Sequence, residues 1–315
     1  MARTYRPCDG VLLFDKPLGL SSNIALQKVR RLFNAAKAGH TGTLDPLATG
    51  LLPICFGEAT KFSNSLLDAD KTYRALIRLG TTTSTADAEG DVLEVHPVNT
   101  DLTEVNAVLE KFRGNIQQLP PMHSALKHQG KPLYEYIRKG QTIERKLRDV
   151  VIHELVLNDF SGNEIDITVR CSKGTYIRTL AEDIGTALGC GAHLGGLRRT
   201  AIAHFDLENA QDMPTLEALS ADERDDHVLA IESLMPDMPT LQLDDVQVKR
   251  LAQGQRLALD TGLPDGKVRL EGEQGFIGVG QLDGRRLAPD RLLSTVAKQA
   301  AKHAQSDIKQ NIGVE

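Results

Sequence analysis

The chain has 315 residues, 41% hydrophobic and 25% charged, with a formal net charge of −5. That is an ordinary globular balance, enough for one large domain with a smaller one and for a core that needs no staples. The N-terminus has no apolar signal core and no stretch approaches membrane-spanning length, while Cys8, Cys55, Cys171 and Cys190 form no CxxC pair; membrane insertion and a dithiol or Cys-based zinc site are therefore excluded, and a reducing cytoplasm is expected.

In chain order, GVLLFD (10–15) predicts a short buried strand. Ser21 or Ser22 then caps an amphipathic helix to Phe33, with Ile24, Leu26, Val29 and Leu32 apolar. A Gly/Thr-rich loop at 38–50 leads into the strand LLPICFG and a helix in EATKFSNSLL. KTYRALIRLG (71–80) alternates as a strand does, and Asp101 with Glu104 forms a capping box for a helix to about Phe112. After a loop-rich segment at 113–148, VVIHELVLNDF and NEIDITVRCS read as strands paired about Ser161-Gly162. A helix follows, capped by Thr175, with a stripe of Ile177, Leu180, Ala181, Ile184 and Leu188 and a stop at Gly189. Short surface helices are expected to about 235, then a Pro-rich linker, MPDMPT. Residues 241–297 hold short apolar runs broken by glycine, the pattern of a small β-rich domain, and the polar tail 298–315 is expected to be disordered.

The charge is unevenly spread. Residues Phe205–Val246 contain twelve acids and one base, Arg224, so the rest of the chain is net positive. Two segments are basic: Lys28, Arg30, Arg31 and Lys37, with no acid between Asp15 and Asp45, and the span Lys127–Arg148, with seven bases against Glu135 and Glu144. Such surfaces track phosphates, although a solvated helix face has the same composition.

Three constellations could carry chemistry. The run from Gly39 to Gly50, GHTGTLDPLATG, places His40 and Asp45 among glycines and threonines. It is neither a P-loop nor a dinucleotide fingerprint, and Asp before Pro is also a common turn initiator. CSKGTYIRTL (171–180) sets Tyr176 and Arg178 at a helix start, where an arginine can pair with a carboxylate or phosphate and hold a nucleophilic Asp ionised. Tyr73 lies in an alternating strand and Leu197 in GGLRRT; alone, both read as core packing. No HExxH, GxSxG or carboxylate-rich metal loop occurs, so no metal and no cofactor are expected.

Together, GHTGTLDPLATGLLPICFGEATK (39–61), KTYRALIRLG, TADAEGD, LPPMHSALKHQGKPLYEYIRKG, CSKGTYIRTLAEDIG and GCGAHLGGLRRT resemble the TruB family of tRNA pseudouridine-55 synthases, over about residues 9–297. The resemblance implies an α+β fold. Residues 1–240 would be a mixed-sheet catalytic domain with a deep RNA cleft and the basic segment 113–148, and 241–297 a PUA-like RNA-binding domain. It implies Asp45 as nucleophile, Tyr73 stacking on the target base and moving a proton, and Arg178 in a salt bridge to Asp45. Tyr176 and Leu197 would line the uridine pocket, and His40 would prop open the RNA loop. The implied partner is the T arm of tRNA, bound by a monomer. The alternative is a non-catalytic protein that folds the tRNA elbow, which would not need Asp45, Tyr73, Tyr176 and Arg178 together. His123, where a tyrosine is usual, and Ala203-His204-Phe205, where many members begin with glycine, depart from the family pattern.

Overall fold

A computed structural model describes residues 5–124, 126–137, 139–296 and 298; the tail expected from 298 onward lies, Lys298 apart, outside the described residues. The first strand, β1 (Gly10–Lys16), is apolar on both faces and is buried on both. The helix α1 (Ser22–Leu32) is capped by the Ser21 side chain; Ala25, Leu26 and Val29 face the core, while Ile24 is half exposed. The remaining N-terminal elements are β2 (Ala38–His40), β3 (Ala48–Phe56), α2 (Asn64–Asp68), β4 (Lys71–Leu79), β5 (Thr81–Thr83), β6 (Val92–Val95) and α3 (Leu102–Lys111). The helix expected in EATKFSNSLL is split, a 3-10 turn at Gly57–Lys61 preceding α2. The capping box on α3 is present as read, with Asp101 and Glu104 exchanging bonds.

The middle of the chain supplies β7 (Gly114–Gln118), β8 (Lys127–His128), β9 (Lys131–Pro132), α4 (Leu133–Ile137), β10 (Arg148–Ser161), β11 (Glu164–Cys171), α5 (Ile177–Ala187) and β12 (Ala192–Ile202). Then come β13 (Phe205–Asp206), α6 (Met213–Ala218), α7 (Ala221–Asp225) and β14 (Val228–Leu229). Ten strands form one mixed sheet in the order β14-β1-β3-β12-β4-β11-β10-β7, with β2 on β3 and β13 on β12. Only β3 and β12 run parallel within it. That pairing joins two halves of the chain, and Gly50 makes it possible: at φ 98°, a Cβ there would lie 2.3 Å from the Arg199 carbonyl oxygen. One face of β4, β10, β11 and β12 buries Ile77, Leu79, Ile165 and Ile167 under α3 and α5. Under α1, β1 and β3 bury Leu12, Phe14, Leu52 and Ile54.

The C-terminal part adds β15 (Thr240–Gln242), α8 (Asp245–Ala252), β16 (Leu257–Ala258), β17 (Gly266–Gly272), β18 (Gly275–Asp283) and β19 (Arg286–Leu292). Its five-stranded sheet, β15-β17-β18-β19-β16, has its own core around Val268, Leu270, Leu282 and Leu287, with Leu251 of α8 packed in. The α+β architecture, a mixed sheet with helices followed by a small β-rich part, is the one expected from the sequence.

Candidate active site

Alternate residues of β4 share one face. Along it, Leu79, Ile77 and Ala75 belong to the core, but Tyr73 and Lys71 continue the row past the end of the apolar cover. The cross-strand partners change character at the same place: Ala75 lies between Ile167 and Leu197, Tyr73 between Val169 and Arg199. There a cavity of about 260 Å³ opens, lined among others by Asp45, Tyr73, Ser124, Tyr176, Arg178, Leu197 and Arg199.

Asp45 reaches it on the loop between β2 and β3. Ser22, buried at the start of α1, holds that loop from both sides: its hydroxyl donates to Leu44 O (2.8 Å) and accepts from Leu44 N (2.7 Å). Gly19 N donates to Pro46 O at 2.9 Å, and Ala48 N donates to Asp45 O at 3.0 Å. The second bond is the turn foreseen for Asp-Pro. The backbone makes the turn and leaves the carboxylate 45% exposed in the cavity.

Arg178 comes from the first turn of α5. It is buried, because the loops at 84–91 and 121–124 cover it. Nη2 meets Asp45 Oδ2 at 3.1 Å and donates to His123 O at 2.6 Å. Nη1 meets Asp87 Oδ2 at 3.4 Å and donates to Thr85 O at 3.4 Å. Asp87 is 4% exposed and also accepts from Thr85 Oγ1 and Glu89 N. A guanidinium satisfied along both edges cannot swing away, so its fork fixes the Asp45 carboxylate.

Tyr176, not Thr175, is the N-cap of α5, and its own side chain makes no capping bond. The buried Gln118 holds it instead, accepting from Tyr176 N (3.0 Å) and donating to Tyr176 O (3.2 Å). Leu197 forms a cavity wall, packed between two cores. His40 pairs with Ile54 at the end of β2 and is not among the cavity-lining residues; its Nδ1 is buried without a hydrogen-bond partner among the described residues. Burial, then the Arg199 charge, pushes its pKa down.

Four polar residues of the site went unrecognised in the sequence. Asp87 sits in TADAEGD, which reads as a turn. Arg199 looks like any surface base in GGLRRT, yet is 1% exposed. Lys71 is buried, its Nζ bonded to Leu66 O, Leu67 O and Ala69 O, and burial pushes its pKa down to about 8. Ser124 Oγ is buried without a partner among the described residues. Burial raises the Tyr73 phenol above its usual pKa, against an opposing pull from Arg199. The arrangement brings a carboxylate, an aromatic ring and apolar side chains to one cavity.

Comparison with known proteins gives the same class. Residues 30–177 match the TruB family pseudouridylate synthase N-terminal domain, 178–238 the tRNA pseudouridylate synthase B C-terminal domain, and 239–293 the pseudouridine synthase II TruB C-terminal domain. The chain is 55% identical over 293 residues to tRNA pseudouridine synthase B of Methylobacillus flagellatus, covering 92% of this chain and 97% of that one. It is 54% identical to the protein of that name from Azoarcus sp., covering 93% and 98%. A solved Cbf5–Nop10–Gar1 complex contains a chain that aligns with a TM-score of 0.68 at 25% identity, over 90% of this chain and 84% of that one. The fold is that of a pseudouridine synthase. The chain belongs to the TruB family of pseudouridylate synthases.

Proposed function

We propose that this protein is a tRNA pseudouridine synthase that isomerises one uridine of the T loop, position 55, with Asp45 as nucleophile. The observation that carries this reading is the Asp45–Arg178 pair at 3.1 Å in a cavity that also contains Tyr73. The reaction breaks the C1′–N1 bond, turns the uracil and joins C1′ to C5; the hydrogen leaves C5 and one is gained at N1. Atoms are conserved and no cosubstrate is consumed.

A uridine in a loop must leave its stack to reach this cavity, at a cost of roughly a few kcal/mol. Stacking on Tyr73 returns about 1–3 kcal/mol. His40 occupies the vacated place in the RNA loop. Asp45 acts on the flipped nucleotide while Tyr73, Tyr176 and Leu197 hold the uracil as it turns, and Tyr73 moves the C5 proton. The bases of 113–148 and the C-terminal sheet (241–297) bind the tRNA backbone, 1–240 being the catalytic part. The protein acts as a cytoplasmic monomer, its four cysteines free as that compartment requires.

The test uses purified protein and an unmodified tRNA transcript, in EDTA without added cofactor, with pseudouridine mapped by base-specific chemical labelling. Pseudouridine is expected at a single T-loop uridine and absent with Asp45→Asn. Tight tRNA binding with no isomerised uridine would leave an RNA-folding protein in which Asp45 is only a turn residue.

A further inference from the structure

We infer that Arg199 is the counter-charge of Tyr73, a positioning residue that stabilises the phenol oxygen in its ionised form when it takes the C5 proton. The inference rests on the reading of Tyr73 as the proton-transfer group.

Three observations carry it. First, register: Arg199 of β12 lies directly opposite Tyr73 of β4, so the two side chains stand together on one face of the sheet, and both line the cavity. Second, burial without an acid: Arg199 is the largest fully buried side chain. Its Nε donates to Leu51 O at 2.7 Å and its Nη2 to Gly42 O at 3.2 Å, and no carboxylate among the described residues pairs with it. Carbonyls satisfy its donors but do not neutralise its charge, and a buried cation without a counter-ion is costly. Third, the Tyr73 phenol and the Arg199 guanidinium each favour the charged form of the other.

The other groups facing Tyr73 do not supply this charge. Cys171 on β11 and Asp45 on its loop both oppose ionisation of the phenol, as burial itself does. Lys71, on the same face of β4, spends its protons on the carbonyls of Leu66, Leu67 and Ala69. Arg199 acts in the other direction through its charge. Two buried penalties, an unmatched guanidinium and a desolvated phenolate, offset one another when they form a pair.

The step balances. Once C1′ has joined C5, that carbon carries the sugar and a hydrogen. The Tyr73 oxygen removes the hydrogen as a proton; the C5–H electrons form C5=C6, and the C6=N1 pair moves to N1. N1 takes a proton from water, and the hydroxide left behind takes the phenol proton.

The experiment is single-turnover isomerisation of an unmodified tRNA transcript by the full-length protein across a pH series, with Arg199→Gln, Arg199→Lys and 3,5-difluorotyrosine, a more acidic phenol, at position 73. Arg199→Gln is expected to move the rise of rate with pH upward by about one unit or more, a loss of about tenfold at neutral pH. Arg199→Lys should move it less, and difluorotyrosine in either background should move it back down. A purely structural role for Arg199 predicts lower rates with an unmoved profile, which would overturn the inference. If Arg199→Gln does not fold, Arg199→Lys decides by the same criterion. With Arg199 intact, a profile that ignores difluorotyrosine removes Tyr73 as the proton-transfer group. A profile that follows difluorotyrosine but ignores Arg199 sinks the Arg199 inference alone.

Discussion

Arg178 serves two carboxylates in unequal surroundings, Asp87 deeply buried and Asp45 half open to the cavity. Replacing it by Met leaves Asp87 buried beside an apolar chain, at a cost of about 3–5 kcal/mol in stability. It also frees Asp45, so the single-turnover rate should fall far more than tRNA affinity; equal losses in both would show that Arg178 only binds. Asp87→Asn keeps the shape and removes one charge. Its isomerisation rate should fall about tenfold or more, some 1.4 kcal/mol of barrier, with tRNA binding retained. On the same helix, Asp183 has its pKa raised to about 6, first by burial and then by Glu182. An acid raised on folding does nothing below the unfolded value of about 4, then removes stability as pH climbs from there to about 6. Asp183→Asn should therefore raise the thermal midpoint at pH 7.5 and leave it unchanged near pH 3.5.

Local patterns in the sequence were enough to place several elements. The alternation of KTYRALIRLG and the pair of runs about Ser161-Gly162 became β4, β10 and β11, because their partners are local or their pattern is strong. The parallel pairing of β3 with β12 joins residues about 150 apart and leaves no local trace. The same limit hid Asp87 and Arg199, whose burial depends on distant segments; Asp45, Tyr73, Tyr176, Arg178 and Leu197, singled out through a resemblance spanning many motifs, line one cavity. A departure from that resemblance also has a physical meaning. Ala203 sits in the two-residue turn between β12 and β13 at φ 52°, a left-handed conformation that disfavours a Cβ and suits a glycine. Ala203→Gly should relieve about 1–2 kcal/mol of strain, less about 0.5–1 kcal/mol of added chain entropy. Chemical denaturation should show a net gain; a loss would mean that the turn is unstrained.

At the scale of the whole molecule, the C-terminal sheet is fastened to the catalytic sheet at the 3-10 turn after β3. Glu58 Oε2 accepts from Ser294 N and from Lys61 Nζ, Lys61 Nζ also donates to Leu292 O (3.1 Å), and Phe62 meets Phe276 edge-on, 5.3 Å between centroids. Glu58→Ala strands these donors, at a cost of about 1–3 kcal/mol. Amide exchange should quicken in β18 and β19 and stay unchanged in β4 and β12; uniform quickening would show that the two sheets unfold as one. The position of β12 also bears on how the protein is made. Asp45 and β3 leave the ribosome early, whereas Arg178, Leu197 and Arg199 follow about 130–150 residues later. At about 5–20 residues per second, the first half of the site waits on the order of 10 s for the second. Until β12 is synthesised, β3 and β4 present open strand edges. A transcript cut short before codon 192 thus yields a sticky fragment with no assembled site, material for the proteolytic machinery and not a partial enzyme that captures tRNA.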